Sequence, residues 1–264
     1  MNSNTKNISP KPIEAASTVN EESVPVINIE NLRKSFGDNH VLRGFNLKVS
    51  PGETVAVLGK SGSGKSVLIK CLVGLLPYDS GMAQVLGKNI GGLTQEELDK
   101  LRTDIGFLFQ GSALYDSMTV RENLEFSLRR HIDRLNGESI NDKVVEVLDS
   151  VGLAGTENLM PEELSGGMKK RVALARTLII NPRIIFYDEP TSGLDPITSK
   201  EISHLILEIQ NKYKTSSIMI THDVQCSRIA ANRIVLLVDG VNYVEGRYDE
   251  LINSPDPEVQ AFFK

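Results

Sequence analysis

The sequence predicts an α/β fold with a mostly parallel core sheet and helices on both of its faces. Short apolar, β-prone runs alternate along the chain with stretches whose apolar residues recur every three or four positions. The run at residues 54–58 also leads through a glycine-rich turn into a helix-like stretch. Strands that alternate with helices pair in parallel, because each connecting helix covers a face of the sheet. Such sheets bind ligands at the carboxyl ends of their strands.

The composition is that of an ordinary globular protein. The chain has 264 residues, 40% of them hydrophobic and 24% charged, and this length suits one large α/β domain. Its net charge of -5 argues against nonspecific nucleic-acid binding, so we expect no nucleic-acid partner. Cys71 and Cys226 are far apart and outside any CxxC pattern, which is typical of reduced thiols. No apolar run approaches the ~18 residues that cross a bilayer, so we expect any membrane role to come through a partner.

A polar N-terminal segment precedes the predicted strands and helices. Residues 1–24 are rich in Ser, Asn, Thr, Glu and Pro and are predicted to form a disordered tail. Apolar runs predict strands at 26–29, 47–49, 54–58, 105–109, 184–187, 217–221 and 234–238. Helices are predicted at 65–75 and 168–180, and along stripes formed by Val144, Val147, Leu148 and Val151 and by Ile202, Leu205, Ile206 and Ile209. We assign residues 25–247 to one domain and residues 248–264 to a C-terminal tail.

A phosphate-binding loop follows the strand predicted at 54–58. The sequence Gly59-Lys60-Ser61-Gly62-Ser63-Gly64-Lys65-Ser66 fits G-x-x-x-x-G-K-[ST], with a strand before it and a helix after it. Glycines let backbone N–H groups point at a phosphate, and the helix N-terminus adds a positive field. Lys65 can reach the β- and γ-phosphates, and Ser66 can offer a hydroxyl to Mg²⁺. The alternative, an incidental Gly/Ser-rich loop, is disfavoured by the complete motif in this context.

Two acids end the strand predicted at 184–187. Asp188 is predicted to hold Mg²⁺ through water, because this ion usually retains part of its hydration shell. Glu189, on the other side of an extended backbone, is predicted to orient and deprotonate the attacking water. Taken alone, an Asp-Glu pair at a strand end is often a solvated loop start. The phosphate-binding loop upstream favours the catalytic interpretation.

A serine and two glycines precede the helix predicted at 168–180. In Leu164-Ser165-Gly166-Gly167-Met168, Ser165 can open a helix whose free N–H groups face an anion. A plain helix N-cap is the alternative for this segment alone. With this motif the chain resembles the nucleotide-binding domain of ABC transporters over about residues 26–246. The resemblance implies a P-loop NTPase fold with a small antiparallel β part and a helical subdomain, about residues 111–163, that carries the signature motif.

The resemblance also implies roles for residues outside the phosphate loop. Gln110 corresponds to a sensor of the γ-phosphate and Mg²⁺, His222 to the switch histidine, and Asp195 to the D-loop aspartate in Ser192-Gly193-Leu194-Asp195. Phe36 falls where the family places an aromatic that stacks on adenine, although a lone Phe is usually core. The implied catalytic residues are Lys65, Glu189 and His222, and the implied Mg²⁺ ligands are Ser66, Gln110 and Asp188. The implied ATP contacts are Phe36, Gly59, Lys60, Ser61, Gly62, Ser63, Gly64, Lys65, Ser66, Val67 and Gln110.

The family resemblance further implies a homodimer. In the family the phosphate loop of one copy faces the signature of the other, and ATP is buried between them. This chain has one phosphate loop and one signature, so two copies complete two sites. From the opposite subunit, the implied ATP contacts are Ser165, Gly166, Gly167 and Asp195.

Several segments resemble the Mla-type ATPases, named for maintenance of lipid asymmetry. They are residues 110–120, 159–163, 195–198 and 253–263, together with Met168 in place of the commoner Gln. This resemblance implies phospholipid transport at the cytoplasmic face of a bacterial inner membrane. The implied partners are a membrane permease, which would dock on residues 112–128, an MCE-domain lipid-binding protein and a small STAS-domain protein.

Three other functions remain as alternatives. An ABC importer for a polar solute such as an amino acid would carry the same motifs. A soluble ABC ATPase acting on ribosomes or DNA is disfavoured by the single motif set and the acidic charge. A small-molecule kinase would use the same phosphate loop but gives no role to residues 164–168.

Overall fold

A computed structural model describes residues 24–129 and 139–263 of the chain. Its strands form two sheets, and its helices are distributed over the faces of the larger one. The strands are β1 (Ile27–Phe36), β2 (Asn39–Val49), β3 (Thr54–Leu58), β4 (Ser80–Val85), β5 (Lys88–Asn89), β6 (Ile105–Leu108), β7 (Ile184–Asp188), β8 (Ser216–Thr221), β9 (Arg233–Val238) and β10 (Val241–Gly246). The helices are α1 (Lys65–Leu72), α2 (Gln95–Arg102), α3 (Val120–Arg129), α4 (Ile140–Ser150), α5 (Gly166–Leu178), α6 (Pro196–Tyr213), α7 (Val224–Ala230), α8 (Tyr248–Ile252) and α9 (Pro257–Phe263).

The core sheet is six-stranded, in the order β10-β9-β3-β8-β7-β6. Its pairs from β9 to β6 are parallel, and only β10 runs antiparallel to its neighbour. The predicted fold class, an α/β domain with a mostly parallel sheet, is thus confirmed. The strand predicted at 54–58 is β3, with the same bounds and every residue buried.

Alternate residues of β3 pack on opposite faces of the core sheet. Val55 and Val57 pack towards α1 and the antiparallel sheet in one apolar cluster. Ala56 and Leu58 pack on the other side, in a cluster that includes residues of α8 and α9. A third cluster joins β6 and β7 to α3, α4, α5 and α6. A strand that is covered on both faces reads as an uninterrupted apolar run, which is why its prediction was accurate.

The smaller sheet is antiparallel, with four strands in the order β2-β1-β4-β5. The strands predicted at 26–29 and 47–49 are only the two ends of a longer hairpin, β1 and β2. The pairing of this hairpin shifts register after Ile29, after Leu32 and after Lys34, and Asn31 has a φ of 49°. These irregularities interrupt the alternation of apolar and polar residues, so the middle of each strand carries no clear sequence pattern.

Two predicted helices have different bounds in the structure. The helix predicted at 65–75 ends at Leu72, because Gly74 adopts a positive φ of 68°. The helix predicted at 168–180 begins earlier, at Gly166, because Ser165 caps it. Helices α3 and α4 pack on α5 and belong to the region predicted as a helical subdomain.

The C-terminal residues 248–263 form two short helices. Leu251 of α8 and Val259 of α9 are buried against Ala56 and Leu58 of the core sheet. Residues 1–23 of the predicted N-terminal tail lie outside the described residues. Both cysteines are free and buried. Within the described ranges, no helix combines the length and apolarity needed to span a bilayer.

Candidate nucleotide-binding site

A cleft of about 660 Å³ opens at the carboxyl ends of β3, β7 and β8. Its lining residues are Phe36, Asn39, Val41, Ser61, Gly62, Ser63, Gly64, Lys65, Ser66, Val67, Gln110, Asp188, Glu189 and His222. Most of the residues predicted for one subunit's site therefore meet in one place. Asn39 and Val41 were missed because they lie in the part of β2 that carries no sequence pattern.

The phosphate loop runs from the end of β3 to the start of α1. Gly64 has a φ of 102°, and a Cβ there would lie 2.8 Å from Cγ1 of Val41, so only glycine fits. Helix α1 has no side-chain cap and no acidic residue in its first turn. Its first N–H groups therefore remain available to a ligand.

Lys65 is buried within the loop that precedes it. Its Nζ donates hydrogen bonds to the carbonyls of Gly59 at 2.7 Å and Lys60 at 3.2 Å. It lies 3.9 Å from Oε1 of Glu189. Burial lowers the pKa of this ammonium group, while the carboxylates of Glu189 and Asp188 act in the opposite direction. The loop thus fixes a cation beside the two acids.

Ser63 carries a buried hydroxyl without a hydrogen-bond partner among the described residues. A Cβ at Gly59 would lie only 2.5 Å from this Oγ atom, so Gly59 leaves it room. A buried polar atom without a partner is costly in a folded protein unless a ligand or water satisfies it. A phosphate oxygen could accept from this hydroxyl, and the loop therefore fits a phosphate group.

Asp188 ends β7 and faces the cleft. Burial raises the pKa of its carboxyl, as does the neighbouring Glu189, while Lys70, Lys170 and Lys65 lower it. Among the described residues, no group of three His, Cys, Asp or Glu side chains could hold a metal alone. Ser66, Gln110 and Asp188 offer single oxygen donors to the same cleft. This donor set fits Mg²⁺, which is typically held by one or two protein oxygens together with phosphates and water.

The sequence predicts an extended backbone at Glu189, and the structure differs. The φ of Glu189 is 49°, in the left-handed region, and its amide donates to the carbonyl of Ile220 at 2.9 Å. The prediction was wrong because the strand ends at Asp188 and the chain turns at the next residue. The turn still brings both carboxylates into the cleft.

Three donors from the end of β8 surround one oxygen of Glu189. Oε2 lies 2.8 Å from Nδ1 of His222, 3.3 Å from the His222 amide and 3.2 Å from Oγ1 of Thr221. The Glu189 side chain is 12% exposed and that of His222 is 68% exposed. The carboxylate is thus held in one orientation, while the imidazole faces the open cleft.

Gln110 reaches the cleft from the residues that follow β6. Its side-chain Nε2 donates to Oγ of Ser192 at 3.2 Å, and its backbone carbonyl accepts from Nζ of Lys170 at 2.5 Å. Gln110 thus contacts the segment around Ser192, which leads to Asp195, and the helix opened by Ser165.

The residues predicted to act on the opposite subunit do not line this cleft. Ser165 caps α5 by accepting from the Met168 amide at 3.2 Å, and Asp195 caps α6 by accepting from the amides of Ile197 and Thr198 at 3.0 Å. Hydrogen bonds from the Thr198 hydroxyl and amide lower the pKa of Asp195. Both capping residues are exposed.

The comparison with known families decides the identity. The family described as "ABC transporter" matches residues 42–192 of this chain. The chain belongs to the ABC transporter family, as one of its ATP-binding domains. These domains bind and hydrolyse ATP, and they dimerise and work with membrane permeases. The predicted ATPase activity is thus confirmed.

Named relatives and solved structures support the same placement of this ABC ATP-binding domain. Protein TRIGALACTOSYLDIACYLGLYCEROL 3, chloroplastic, of Arabidopsis thaliana is 40% identical over 258 residues, which covers 91% of this chain and 74% of the relative. The probable ribonucleotide transport ATP-binding protein mkl of Mycobacterium leprae is 39% identical over 236 residues, covering 89% and 68%. A dimeric ATP-binding cassette in a post-hydrolysis state with ADP and Pi has a TM-score of 0.74 and 32% identity, covering 84% of this chain and 98% of that one.

Proposed function

We propose that this chain is the ATPase subunit of an ABC transporter that moves phospholipid across the bacterial envelope. The ATP-hydrolysing function is supported by the cleft in which Lys65, Asp188, Glu189 and His222 meet. The Arabidopsis relative, which bears the name of a diacylglycerol lipid, supports the lipid cargo. The segments that resemble Mla-type ATPases point the same way.

Glu189 acts as the general base in this proposal. Its carboxylate, fixed by Thr221 and His222, accepts a proton from the water that attacks the γ-phosphate. His222 keeps the carboxylate in place and faces the phosphate from the open side of the cleft. A base that is held by several donors needs no rearrangement when the water arrives.

The phosphate loop and its neighbours hold ATP. Lys65, the Ser63 hydroxyl and the amides at the start of α1 bind the phosphates. Ser66, Gln110 and Asp188, the last through water, would hold Mg²⁺, which neutralises charge on the phosphates. The ring of Phe36 is 49% exposed at the rim of the cleft and stacks on the adenine base.

The second half of each site comes from another copy of the chain. Ser165, Gly166, Gly167 and Asp195 lie outside their own subunit's cleft, and their helix N-termini are exposed. Two copies that face each other would place these N–H groups on the far side of the γ-phosphate. ATP then holds the two subunits together, and loss of phosphate releases them.

The substitution Glu189→Gln tests the motor function. It keeps the shape of the side chain and removes the base, so we expect ATP binding to persist and hydrolysis to fall about a hundredfold or more. Gel filtration with Mg²⁺ and ATP should then show a trapped dimer. The matched control is Glu96→Gln, which alters an exposed glutamate on α2. Wild-type hydrolysis by the Glu189→Gln chain would contradict the assignment of the base.

Reconstitution tests the cargo. We propose that the chain binds the cytoplasmic face of the inner membrane through a permease, with an MCE-domain protein and a small STAS-domain protein as further partners. The complex purified from its native membrane and placed in liposomes should move labelled phospholipid when ATP is supplied. The same complex built with Glu189→Gln should not. The absence of phospholipid movement by an ATP-hydrolysing complex would contradict the lipid assignment.

A polar cargo is the second candidate. The Mycobacterium leprae relative, named as a probable ribonucleotide transport protein, supports it. The same liposomes, tested with a labelled nucleotide or amino acid in place of phospholipid, distinguish the two candidates. ATP-dependent uptake of the polar solute without movement of phospholipid would favour this second candidate.

A further inference from the structure

The segment that follows Gln110 has an unusual backbone. Ser112 and Ala113 have φ angles of 61° and 50°, and they are the one adjacent pair of non-glycine residues with positive φ in the described ranges. The amide of Ala113 donates to the carbonyl of Gly111 at 2.7 Å and closes a three-residue turn. Residues with a Cβ rarely adopt this conformation because it costs free energy, so neighbouring groups must hold it.

Helix α5 supplies those groups. Arg176 donates through Nη2 to the carbonyl of Ser112 at 2.8 Å and through Nη1 to the carbonyl of Ala113 at 2.6 Å. Lys170 on the same helix donates to the carbonyl of Gln110 at 2.5 Å. The backbone carbonyls of Gln110, Ser112 and Ala113 therefore all accept hydrogen bonds from cationic side chains of α5.

The surroundings of Arg176 leave these carbonyls as its main partners. Burial lowers the pKa of its guanidinium group. Within the part of the chain that the structure describes, Arg176 forms no ion pair with a carboxylate, whereas other arginines do. Arg176 is half-buried, so its guanidinium group needs hydrogen bonds to replace the hydration that it has lost, and its two bonds go to the strained turn.

We propose that Arg176 is a positioning residue that holds the turn at Ser112 and Ala113, and thereby keeps Gln110 directed into the nucleotide cleft. The proposal rests on the role proposed for Gln110 above. Arg176 is not among the residues that line the nucleotide cleft; it acts through the backbone that carries Gln110. The same contacts tie the position of Gln110 to α5, so a displacement of Gln110 is transmitted to the Ser165 end of that helix.

The guanidinium group suits this task for a geometric reason. Its planar fork presents two N–H groups at a fixed spacing, and these donate to the two successive carbonyls of Ser112 and Ala113. The ammonium group of lysine is a point charge and cannot occupy both positions with the same orientation. The charge-conserving change Arg176→Lys therefore tests the fork while it keeps the cation.

Steady-state hydrolysis by the full chain with Mg²⁺ and ATP tests the proposal. For Arg176→Lys we expect kcat to fall about tenfold while KM for ATP changes less than about twofold, because a displaced Gln110 impairs the chemical step more than binding. Adding Ser112→Gly and Ala113→Gly should restore kcat to within about threefold of wild type, because glycine adopts positive φ at little cost. A residue that only stabilised the fold would not show this rescue.

A second variant covers the possibility that Arg176→Lys does not fold. Ala113→Val leaves Arg176 in place but puts a β-branched residue at a positive φ, where it is strongly disfavoured. It should reproduce the fall in kcat, with Gly111→Ala as the matched control, since a Cβ at Gly111 meets open space. Wild-type kcat in Ala113→Val, or a loss in Arg176→Lys that the glycine pair does not restore, would overturn the proposal.

Gln110→Ala separates this proposal from the function it rests on. If Gln110→Ala retains wild-type kcat while Arg176→Lys loses it, the role of Gln110 is wrong and the loop acts through another group. If Gln110→Ala and Arg176→Lys both lose kcat, and the Gln110→Ala/Arg176→Lys double variant loses no more than either alone, the two residues act on one step as proposed.

Discussion

Two parts of the proposed site differ in how complete they are within one chain. The first half is the cleft that contains the phosphate loop, Lys65 and Glu189, and the second half consists of the helix N-termini capped by Ser165 and Asp195. In the first half, Lys65 and Glu189 are largely buried and contact each other and their loops. In the second half, Ser165 and Asp195 are exposed, and their side chains cap the first turns of their own helices. The first half is ready for a nucleotide, and the second half presents helix N-termini outward.

This difference agrees with the proposal that two subunits share each site. A side chain in a prebuilt site loses little freedom when the ligand binds, which lowers the cost of binding. An exposed helix N-terminus has no ligand of its own until another surface supplies an anion. Substitutions in the first half should therefore act on one subunit, whereas substitutions in the second should act on the pair.

The largest effect is expected from Lys65→Ala. This change removes the buried cation beside the two acids and its hydrogen bonds to the loop carbonyls of Gly59 and Lys60. ATP binding should weaken and turnover should become undetectable, as measured by nucleotide titration and phosphate release. Lys100→Ala, at an exposed ion pair on α2, is the control and should behave as wild type. Normal turnover in Lys65→Ala would show that the first half is not the nucleotide site.

A smaller loss is expected from His222→Ala. It removes the group that lies 2.8 Å from Oε2 of Glu189, and this oxygen keeps the Thr221 hydroxyl and the amide of residue 222 as donors. We expect kcat to fall about a hundredfold with little change in ATP affinity, because the general base loses the group that holds it in place. The matched control is His204→Ala, which alters an exposed histidine of α6. Equal rates for the two variants would remove His222 from the mechanism.

Ser165→Ala should act on the pair of subunits. Loss of the N-cap costs about 1 kcal/mol of stability in either subunit. In the Glu189→Gln background, loss of the hydroxyl should also weaken the ATP-bound dimer by about tenfold, since hydrogen bonds to charged groups are strong. Ser139→Ala removes the equivalent cap of α4, where the Asp142 amide donates at 3.0 Å. If both variants weaken the dimer equally, Ser165 is only a cap.

The smallest effect expected is a gain in stability from Asp188→Asn. Because the folded chain raises the pKa of Asp188 above its ordinary value, its ionised form destabilises the ATP-free protein at neutral pH. At pH 7 the variant should be more stable by about 1 kcal/mol, a shift of the melting temperature of about 2–4 °C. The gain should shrink as the pH falls towards the ordinary pKa of 3.8, where both states hold the proton. A pH-independent difference would contradict this account.

The parts of the fold that the sequence predicted well are those that packing makes uniform. Strand β3 was predicted with its observed bounds because both of its faces are buried. The hairpin β1–β2 was predicted only at its ends, because register shifts interrupt its pattern. Helices α8 and α9 were not predicted, since five and seven residues are too few to show a helical period. They are stabilised by the burial of Leu251 and Val259, a tertiary contact that no local pattern reports.

The candidate site was likewise predicted only in part. The phosphate loop and the acid pair could be predicted because their chemistry requires particular side chains at fixed spacing. The left-handed backbone of Glu189 could not, since it follows from a hydrogen bond to the carbonyl of Ile220 on another strand. Arg176 was missed for the same reason, because its partners are backbone carbonyls 63 and 64 residues earlier in the chain. Contacts to backbone atoms leave no residue-type signal at the partner position.

Mixing two defective chains tests the central claim most directly. One chain carries Lys65→Ala, the other carries Ser165→Arg, both carry Glu189→Gln, and each has a different affinity tag. If two copies share each site, the mixed dimer contains one intact site, formed by the phosphate loop of the second chain and the signature of the first. Tandem purification in Mg²⁺ and ATP should then recover mixed dimers with about one tightly held ATP, whereas neither chain alone retains any. Mixed dimers that hold no ATP would mean that the phosphate loop and Ser165 do not meet across the interface.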